Sequence, residues 1–139
     1  MKTQHVLVVD DQENWREVLS SVLRDGGYEV DVAESVAKAW HLLNNNVYDV
    51  AILDVRLTDR NPYDIQGIEL LDQMKAQLQD DCPVVIMTGY SFDGLEDRIR
   101  TQYRVRDFIK KGTTLLQDVS AFRHRIAAIM ASPPESTQV

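Results

Sequence analysis

The sequence predicts an α/β fold in which a doubly wound, five-stranded parallel sheet is covered on both faces by five helices. Short apolar runs rich in β-branched residues alternate along the chain with segments whose apolar residues recur at helical spacing. The apolar runs are nearly continuous, as in strands that are buried on both faces. Parallel strands need crossover connections, and the alternation supplies a helix for them. The length of 139 residues fits a single domain with its own core.

The first half of the chain contains two strand-and-helix units. The run "VLVV" at Val6–Val9 predicts the first strand, and the helical pattern that follows ends at Asp25–Gly27. Tyr28–Ala33 alternates like a second strand. Ser35 can cap the next helix, which the polar run Asn44–Asn46 terminates. This order is the beginning of a doubly wound fold.

The middle of the chain repeats the unit with longer connections. Tyr48–Asp54 is a third apolar run, and it ends on an acid. A polar loop follows it, and a third helix is predicted from Gln66 onwards. Pro83–Gly89 reads as a fourth buried strand that ends on Thr88.

The last third completes the pattern. A weaker helical pattern covers Phe92–Tyr103, and Val105–Ile109 is short but typical of a strand. The apolar residues from Leu115 to Ile129 then recur with the spacing of a final amphipathic helix. Residues 132–139 have no apolar period and are expected to form a disordered tail or the start of a linker.

Composition restricts the environment and the partners of the protein. A formal net charge of -7 argues against direct binding to nucleic acid or to an anionic membrane. The single cysteine, Cys82, cannot form an internal disulfide, which fits a reducing compartment. The sequence contains no apolar segment that reads as a signal peptide or a membrane span. We therefore expect a cytoplasmic protein whose output runs through protein contacts.

Polar side chains follow four of the predicted strands directly. Asp10 and Asp11 follow the first strand, Asp54 the third, Thr88 ends the fourth, and Lys110–Lys111 follows the fifth. In a doubly wound sheet, ligands bind at the carboxyl ends of the strands. We therefore expect these side chains to gather at one edge of the sheet and to form a site.

The residue types at this edge predict phosphoryl chemistry. Neighbouring carboxylates repel one another, and Mg²⁺ is a natural neutraliser because it prefers hard oxygen ligands. Asp54 is the best-placed nucleophile toward phosphorus beside such a cation. The hydroxyl group of Thr88 and the ammonium group of Lys111 could hold the remaining phosphoryl oxygens. The sequence therefore predicts a phosphoryl acceptor site.

The motifs as a set resemble one known family. "VLVVDD", "YDVAILDVRL", "GIELL", "VVIMTG" and "DFIKKG" are similar to the receiver domains of two-component response regulators, and the resemblance covers nearly the whole chain. It implies a flavodoxin-like sandwich with strand order 2-1-3-4-5 for residues 1–131. It also implies a signalling switch that is not a turnover enzyme, although it catalyses its own phosphorylation and slow dephosphorylation.

The resemblance assigns the metal site and the acceptor by position. It makes Asp54 the phosphorylated residue, and it makes Asp11 and Asp54 direct ligands of Mg²⁺. Asp10 would bind the metal through water, and Arg56 would contribute its backbone carbonyl group.

The resemblance also assigns the switch and its partners. Thr88 would follow the phosphoryl group inward, and Phe108 would change rotamer in step. The spacing in "DFIKK" makes Lys111 the site lysine and leaves Lys110 facing solvent. The family implies a sensor histidine kinase or a phosphotransfer protein as donor, and an effector protein or a homodimer at the face built from helix four, strand five and helix five.

Three features depart from the family pattern. Gly112 stands where the family has proline after a cis bond, and because a cis bond without proline costs about 3–4 kcal/mol, a trans bond is expected. The loop Thr58–Gln66 is several residues longer than usual, and it is either a partner-binding or covering segment or a neutral insertion. Arg56 and Tyr90 are bulky at positions that flank the acceptor, which predicts a long-lived phosphorylated state.

Three other functions stay open on the sequence alone. The chain could be a receiver-like interaction module that works without phosphorylation. It could bind a flavin, because fold does not fix function, although the acids after the first strand oppose a phosphate group there. It could be a magnesium phosphohydrolase with an aspartyl nucleophile, although Arg56 occupies the position of the second acid that such enzymes use.

Overall fold

The computed structural model describes residues 3–54, 66–77, 82–89, 94–103, 105–112 and 117–131. Within these residues five strands alternate with five helices. The strands are β1 (His5–Val9), β2 (Glu29–Ala33), β3 (Val50–Leu53), β4 (Val84–Thr88) and β5 (Val105–Lys110). The helices are α1 (Glu13–Asp25), α2 (Val36–Asn45), α3 (Gln66–Gln77), α4 (Leu95–Gln102) and α5 (Val119–Ala131).

The strands form one sheet in the order β2-β1-β3-β4-β5, and all four pairings are parallel. This confirms the predicted fold class and strand order. β1 lies between β2 and β3 in the sheet. Because the strands are parallel, their carboxyl ends share one edge of the sheet.

Side-chain alternation along β1 divides the core into two layers. Leu7 and Val9 pack on the face covered by α2, α3 and α4, whereas Val6 and Val8 pack on the face covered by α1 and α5. All four side chains are almost fully buried. A strand buried on both faces therefore has no room for a charge until it leaves the core.

Several helix ends follow from local chemistry. The Ser35 hydroxyl group accepts a hydrogen bond from the Lys38 backbone N–H group (3.2 Å) and caps α2, as predicted. α1 ends before Gly27, whose φ of 93° lies in the left-handed region that favours glycine. Asp118 Oδ1 accepts a hydrogen bond from the Ala121 N–H group (3.0 Å) at the start of α5. The predicted start of this helix at Leu115 lies outside the described residues.

None of the described helices combines the length and the apolar character that a bilayer-spanning segment requires.

An ion pair joins β5 to α5. The Arg125 guanidinium group donates from Nε to Asp107 Oδ2 (2.8 Å) and from Nη2 to Asp107 Oδ1 (2.6 Å). Burial is the largest single influence and raises the pKa of the Asp107 carboxyl group, but hydrogen bonds from Arg125 and from the Phe108 N–H group outweigh it. The resulting pKa of Asp107 is lower than its ordinary value, so the folded state favours the ionised carboxylate.

We expect Arg125→Met to lower the free energy of unfolding at neutral pH by about 1 kcal/mol or less, because the pair is partly exposed. The contribution should be fully present above the ordinary aspartate pKa of about 4 and should disappear as the pH falls through the lower folded pKa. Urea unfolding of both proteins, from neutral pH down to the lowest pH at which both stay folded, measures this. Lys38→Met, which removes an exposed pair with Glu34, is the matched control. A difference that does not shrink as the pH falls would contradict the expectation.

Candidate functional site

Three aspartates lie together where β1 and β3 end. The Asp54 backbone N–H group donates to the Val9 carbonyl group (2.9 Å), and the Asp10 N–H group donates to the Ala33 carbonyl group (3.0 Å). These bonds extend the sheet by one residue beyond its strands. They fix the two aspartates at the same edge and leave Asp11 to begin the connection to α1.

The carboxylates are close enough to share a cation. Asp10, Asp11 and Asp54 each offer an oxygen, and these oxygens all lie within 4.8 Å of one another. Asp10 and Asp54 are only 2% and 5% exposed, and Asp11 is half-buried. A set of hard carboxylate oxygens that is partly open to solvent fits Mg²⁺, which keeps several waters when it binds to proteins.

The ammonium group of Lys111 lies inside this cluster. Lys111 Nζ is 2.5 Å from Asp10 Oδ2 and 2.8 Å from Asp54 Oδ2. It also donates to Gln12 Oε1 at 3.4 Å. Lys111 is buried, whereas Lys110 is exposed. The structure therefore places Lys111, and not its neighbour, at the site.

The cluster is rich in acidic groups. Asp10, Asp11 and Asp54 bring three carboxyl groups together, and the Lys111 ammonium group pairs with two of them. A divalent cation would add positive charge to a region that is mostly shielded from water.

The first turn of α1 closes the site on one side. Gln12 donates its backbone N–H group to Asp10 Oδ1 (2.9 Å), and Arg16 Nη1 donates to the Asp10 carbonyl group (2.8 Å). The Trp15 ring lies beside the ammonium group, with 5.3 Å from Lys111 Nζ to the ring centroid. The start of α1 thus fixes both the backbone and the carboxylate of Asp10.

Gly89 packs against the stem of Lys111 from the other side. A Cβ atom built at position 89 would lie 3.6 Å from Lys111 Cβ and 3.7 Å from Lys111 Cδ. These are ordinary van der Waals distances. A residue directly after β4 therefore helps to define the path of the lysine side chain from the end of β5.

The other predicted site residues fall into two groups. Thr88 ends β4 and pairs with Lys110 across the sheet, so its backbone lies at the site edge. Phe108 is half-buried and packs on the face covered by α2, α3 and α4. Arg56, Tyr90 and the loop at 58–65 lie outside the described residues. The described residues contain no cis peptide bond, so the Lys111–Gly112 bond is trans.

Sequence reasoning missed two neighbours of the lysine. Neither Trp15 nor Gln12 is among the site residues that the sequence predicted. A signal was present, because both residues follow the acid pair within one helical turn, where α1 begins at the site edge. Their contact with Lys111 could not be derived from that spacing alone.

The fold and this site define a class of protein. The response regulator receiver domain family matches residues 6–122. The chain therefore belongs to this family, whose members are signalling domains of two-component systems rather than turnover enzymes, and which bind Mg²⁺ at an acidic site.

Individual proteins that are similar to this chain support the family assignment. The transcriptional regulatory protein ZraR of Escherichia coli (strain K12) is 37% identical over 86 residues, which cover 62% of this chain and 18% of that protein. The chain thus spans about a fifth of the length of that relative. The structure of the non-phosphorylated HemR receiver domain from Leptospira biflexa has a TM-score of 0.75 at 26% identity and covers 94% of this chain and 97% of its own.

The fold is also similar to that of the response regulator TrrA from Thermotoga maritima, in a structure with Mg(2+)-BeF. The TM-score is 0.70 at 24% identity. The alignment covers 91% of this chain and 99% of that chain. It confirms the flavodoxin-like receiver architecture.

We expect Asp11→Asn to raise the free energy of unfolding by about 1 kcal/mol in the presence of a chelator, because it removes one of three clustered negative charges. Excess Mg²⁺ should shrink or reverse this gain, since the variant loses a candidate ligand. Urea unfolding under both conditions measures the effect. Glu17→Gln removes an exposed charge from α1 and should change stability by less than about 0.5 kcal/mol. A destabilised Asp11→Asn protein in chelator would contradict the electrostatic argument.

Proposed function

We propose that this protein is a phosphorylation-activated switch, in which Asp54 accepts a phosphoryl group from a sensor histidine kinase or a phosphotransfer protein. The observation that carries this proposal is the position of the Asp54 carboxylate. It is buried at the carboxyl edge of the sheet, 2.8 Å from the Lys111 ammonium group and beside two further carboxylates. Family membership supports the same assignment.

The metal in this proposal is Mg²⁺, which Asp11, Asp54 and the Arg56 carbonyl group would hold directly. Mg²⁺ would supply positive charge that screens the carboxylates from the incoming phosphoryl oxygens. Asp10 would act through water. Both of its oxygens already have protein partners, Lys111 at Oδ2 and the Gln12 N–H group at Oδ1, which supports an indirect role.

The transfer itself is a displacement at phosphorus. A carboxylate oxygen of Asp54 forms a new bond to phosphorus, the phosphorus–nitrogen bond of the donor phosphohistidine breaks, and its electron pair returns to the imidazole ring. Lys111 compensates negative charge on the transferring oxygens. The Thr88 hydroxyl group donates to a phosphoryl oxygen. Water later hydrolyses the acyl phosphate slowly, which releases inorganic phosphate and restores the Asp54 carboxylate.

The response would leave the site through β5. Lys111 follows the strand, and Phe108 lies three residues earlier on the face toward α4. In the proposal, Thr88 and Phe108 move together and change the face formed by α4, β5 and α5. That face would bind an effector protein or a second copy of the chain. We infer that the protein acts in the cytoplasm, without direct contact to a membrane or to nucleic acid.

Intact mass spectrometry after incubation with acetyl phosphate and Mg²⁺ tests the acceptor. The wild type should gain one phosphoryl group, and Asp54→Ala should gain none because the nucleophile is missing. Removal of Mg²⁺ by a chelator should abolish the gain. Asp25→Ala, which changes an exposed aspartate at the end of α1, is the matched control and should behave like the wild type.

A folded wild-type protein that gains no mass from acetyl phosphate or from a phosphorylated histidine kinase would contradict the proposal. The alternative of an interaction module that works without phosphorylation would then be favoured.

A further inference from the structure

The ammonium group of Lys111 lies among the carboxylates of the proposed Mg²⁺ site. It is 2.8 Å from Asp54 Oδ2 and 2.5 Å from Asp10 Oδ2. Lysine is a compact cation with three donors, so it can serve two carboxylates at once. A divalent cation that approaches Asp54 therefore meets a position that is already partly neutralised.

The Trp15 ring lies against the same ammonium group. Its centroid is 5.3 Å from Lys111 Nζ, which is within the range of a cation–π interaction. Lys111 is 9% exposed, so bulk water screens this contact weakly. Gln12 adds its Oε1 at 3.4 Å. The carboxylates, the amide and the ring thus hold the ammonium group in one position.

We propose that Trp15 is a positioning residue that holds Lys111 as an internal cation in competition with Mg²⁺. The inference rests on the proposed function for the identity of the metal site. In the metal-free protein, the ring stabilises the arrangement in which Lys111 is paired with Asp10 and Asp54. Mg²⁺ held by Asp11 and Asp54 would repel this ammonium group and compete with it for the charge of Asp54. By holding Lys111 in place, the ring therefore raises the Mg²⁺ concentration that the protein needs.

The proposed effect of the ring on Mg²⁺ affinity is opposite in sign to the effect that packing alone would have. Trp15 also packs partly against the core layer under α1 and α5. If packing were its only role, its loss would loosen the start of α1 and weaken Mg²⁺ binding. If it holds Lys111 on the carboxylates, its loss should tighten Mg²⁺ binding by about two- to fivefold, the factor that corresponds to a modest cation–π contact.

The test is a Mg²⁺ titration followed by backbone amide chemical shifts, without any phosphodonor. Trp15→Leu should lower the Kd for Mg²⁺ about two- to fivefold, whereas Trp15→Phe, which keeps an aromatic face, should stay closer to the wild type. Trp40→Leu is the matched control, because Trp40 lies on α2 and packs on the opposite face of the sheet. Its Kd should equal that of the wild type.

A double-mutant cycle with Lys111→Met isolates the pair. In that background, Trp15→Leu should have no further effect on the Kd, because the cation is gone. If Lys111→Met does not fold, Lys111→Gln serves the same purpose. An unchanged or higher Kd in Trp15→Leu overturns the inference, and so does an equal decrease with and without the lysine.

The outcomes separate this inference from the proposed function. Mg²⁺ binding that does not depend on Trp15 overturns the inference alone and leaves the acceptor chemistry standing. The lack of Mg²⁺ binding in every variant overturns both. A Kd that depends on Trp15 through Lys111 supports the inference even where the separate mass experiment shows no phosphoryl gain.

Discussion

The constraint on which the site depends is the crowding of three carboxylates around one buried ammonium group. Asp10 and Asp54 are almost fully buried, and they share Lys111 at 2.5 and 2.8 Å. Buried charges are tolerated only when they are paired and hydrogen-bonded. The lysine meets that condition for two acids, and a third carboxyl group, that of Asp11, lies beside them. This arrangement fits a divalent cation, and the proposed phosphoryl chemistry depends on it.

The register of the sheet holds these carboxylates close together. Core layers on both faces leave β1 and β3 no freedom to shift, because a slip by one residue would reverse every side chain. The pairing of Val9 with Leu53 places the next residues of both strands side by side. Repulsion between the aspartates is thus opposed by hydrophobic burial along the whole of both strands. The protein keeps an unfavourable local arrangement because the rest of the fold over-determines it.

β5 connects this edge to both layers of the molecule. Lys111 leaves its end toward the carboxylates, and Phe108 packs on the layer of α2, α3 and α4. Ile109 packs on the other layer, and Asp107 is bound to Arg125 of α5. One short strand therefore joins the site edge to helices on both sides of the sheet, which is the route that the proposed switch would use.

The sequence determined the elements, and it named the acids and the lysine that the structure brings together at the edge of the sheet. Apolar runs reveal strands because burial on both faces excludes polar side chains, and each strand becomes polar where it leaves the core. That local rule brought out the acids after β1 and β3 and the lysine pair after β5. The strand order and the choice of Lys111 over Lys110 came from family resemblance. Periodicity alone shows which face of an element a residue occupies, but it does not show which residues of other elements that residue contacts.

Only the tertiary structure decided the contacts. Gln12 and Trp15 touch Lys111 although about a hundred residues separate them in the chain. That contact depends on the crossover of α1, the register of the sheet and the exit of β5 from it. These are properties of the packed molecule, since distances between side chains far apart in sequence are fixed by all the intervening packing together. The sequence supplied the charged groups of the site, and the fold determined that the Lys111 ammonium group lies between two of the carboxylates with an aromatic ring beside it.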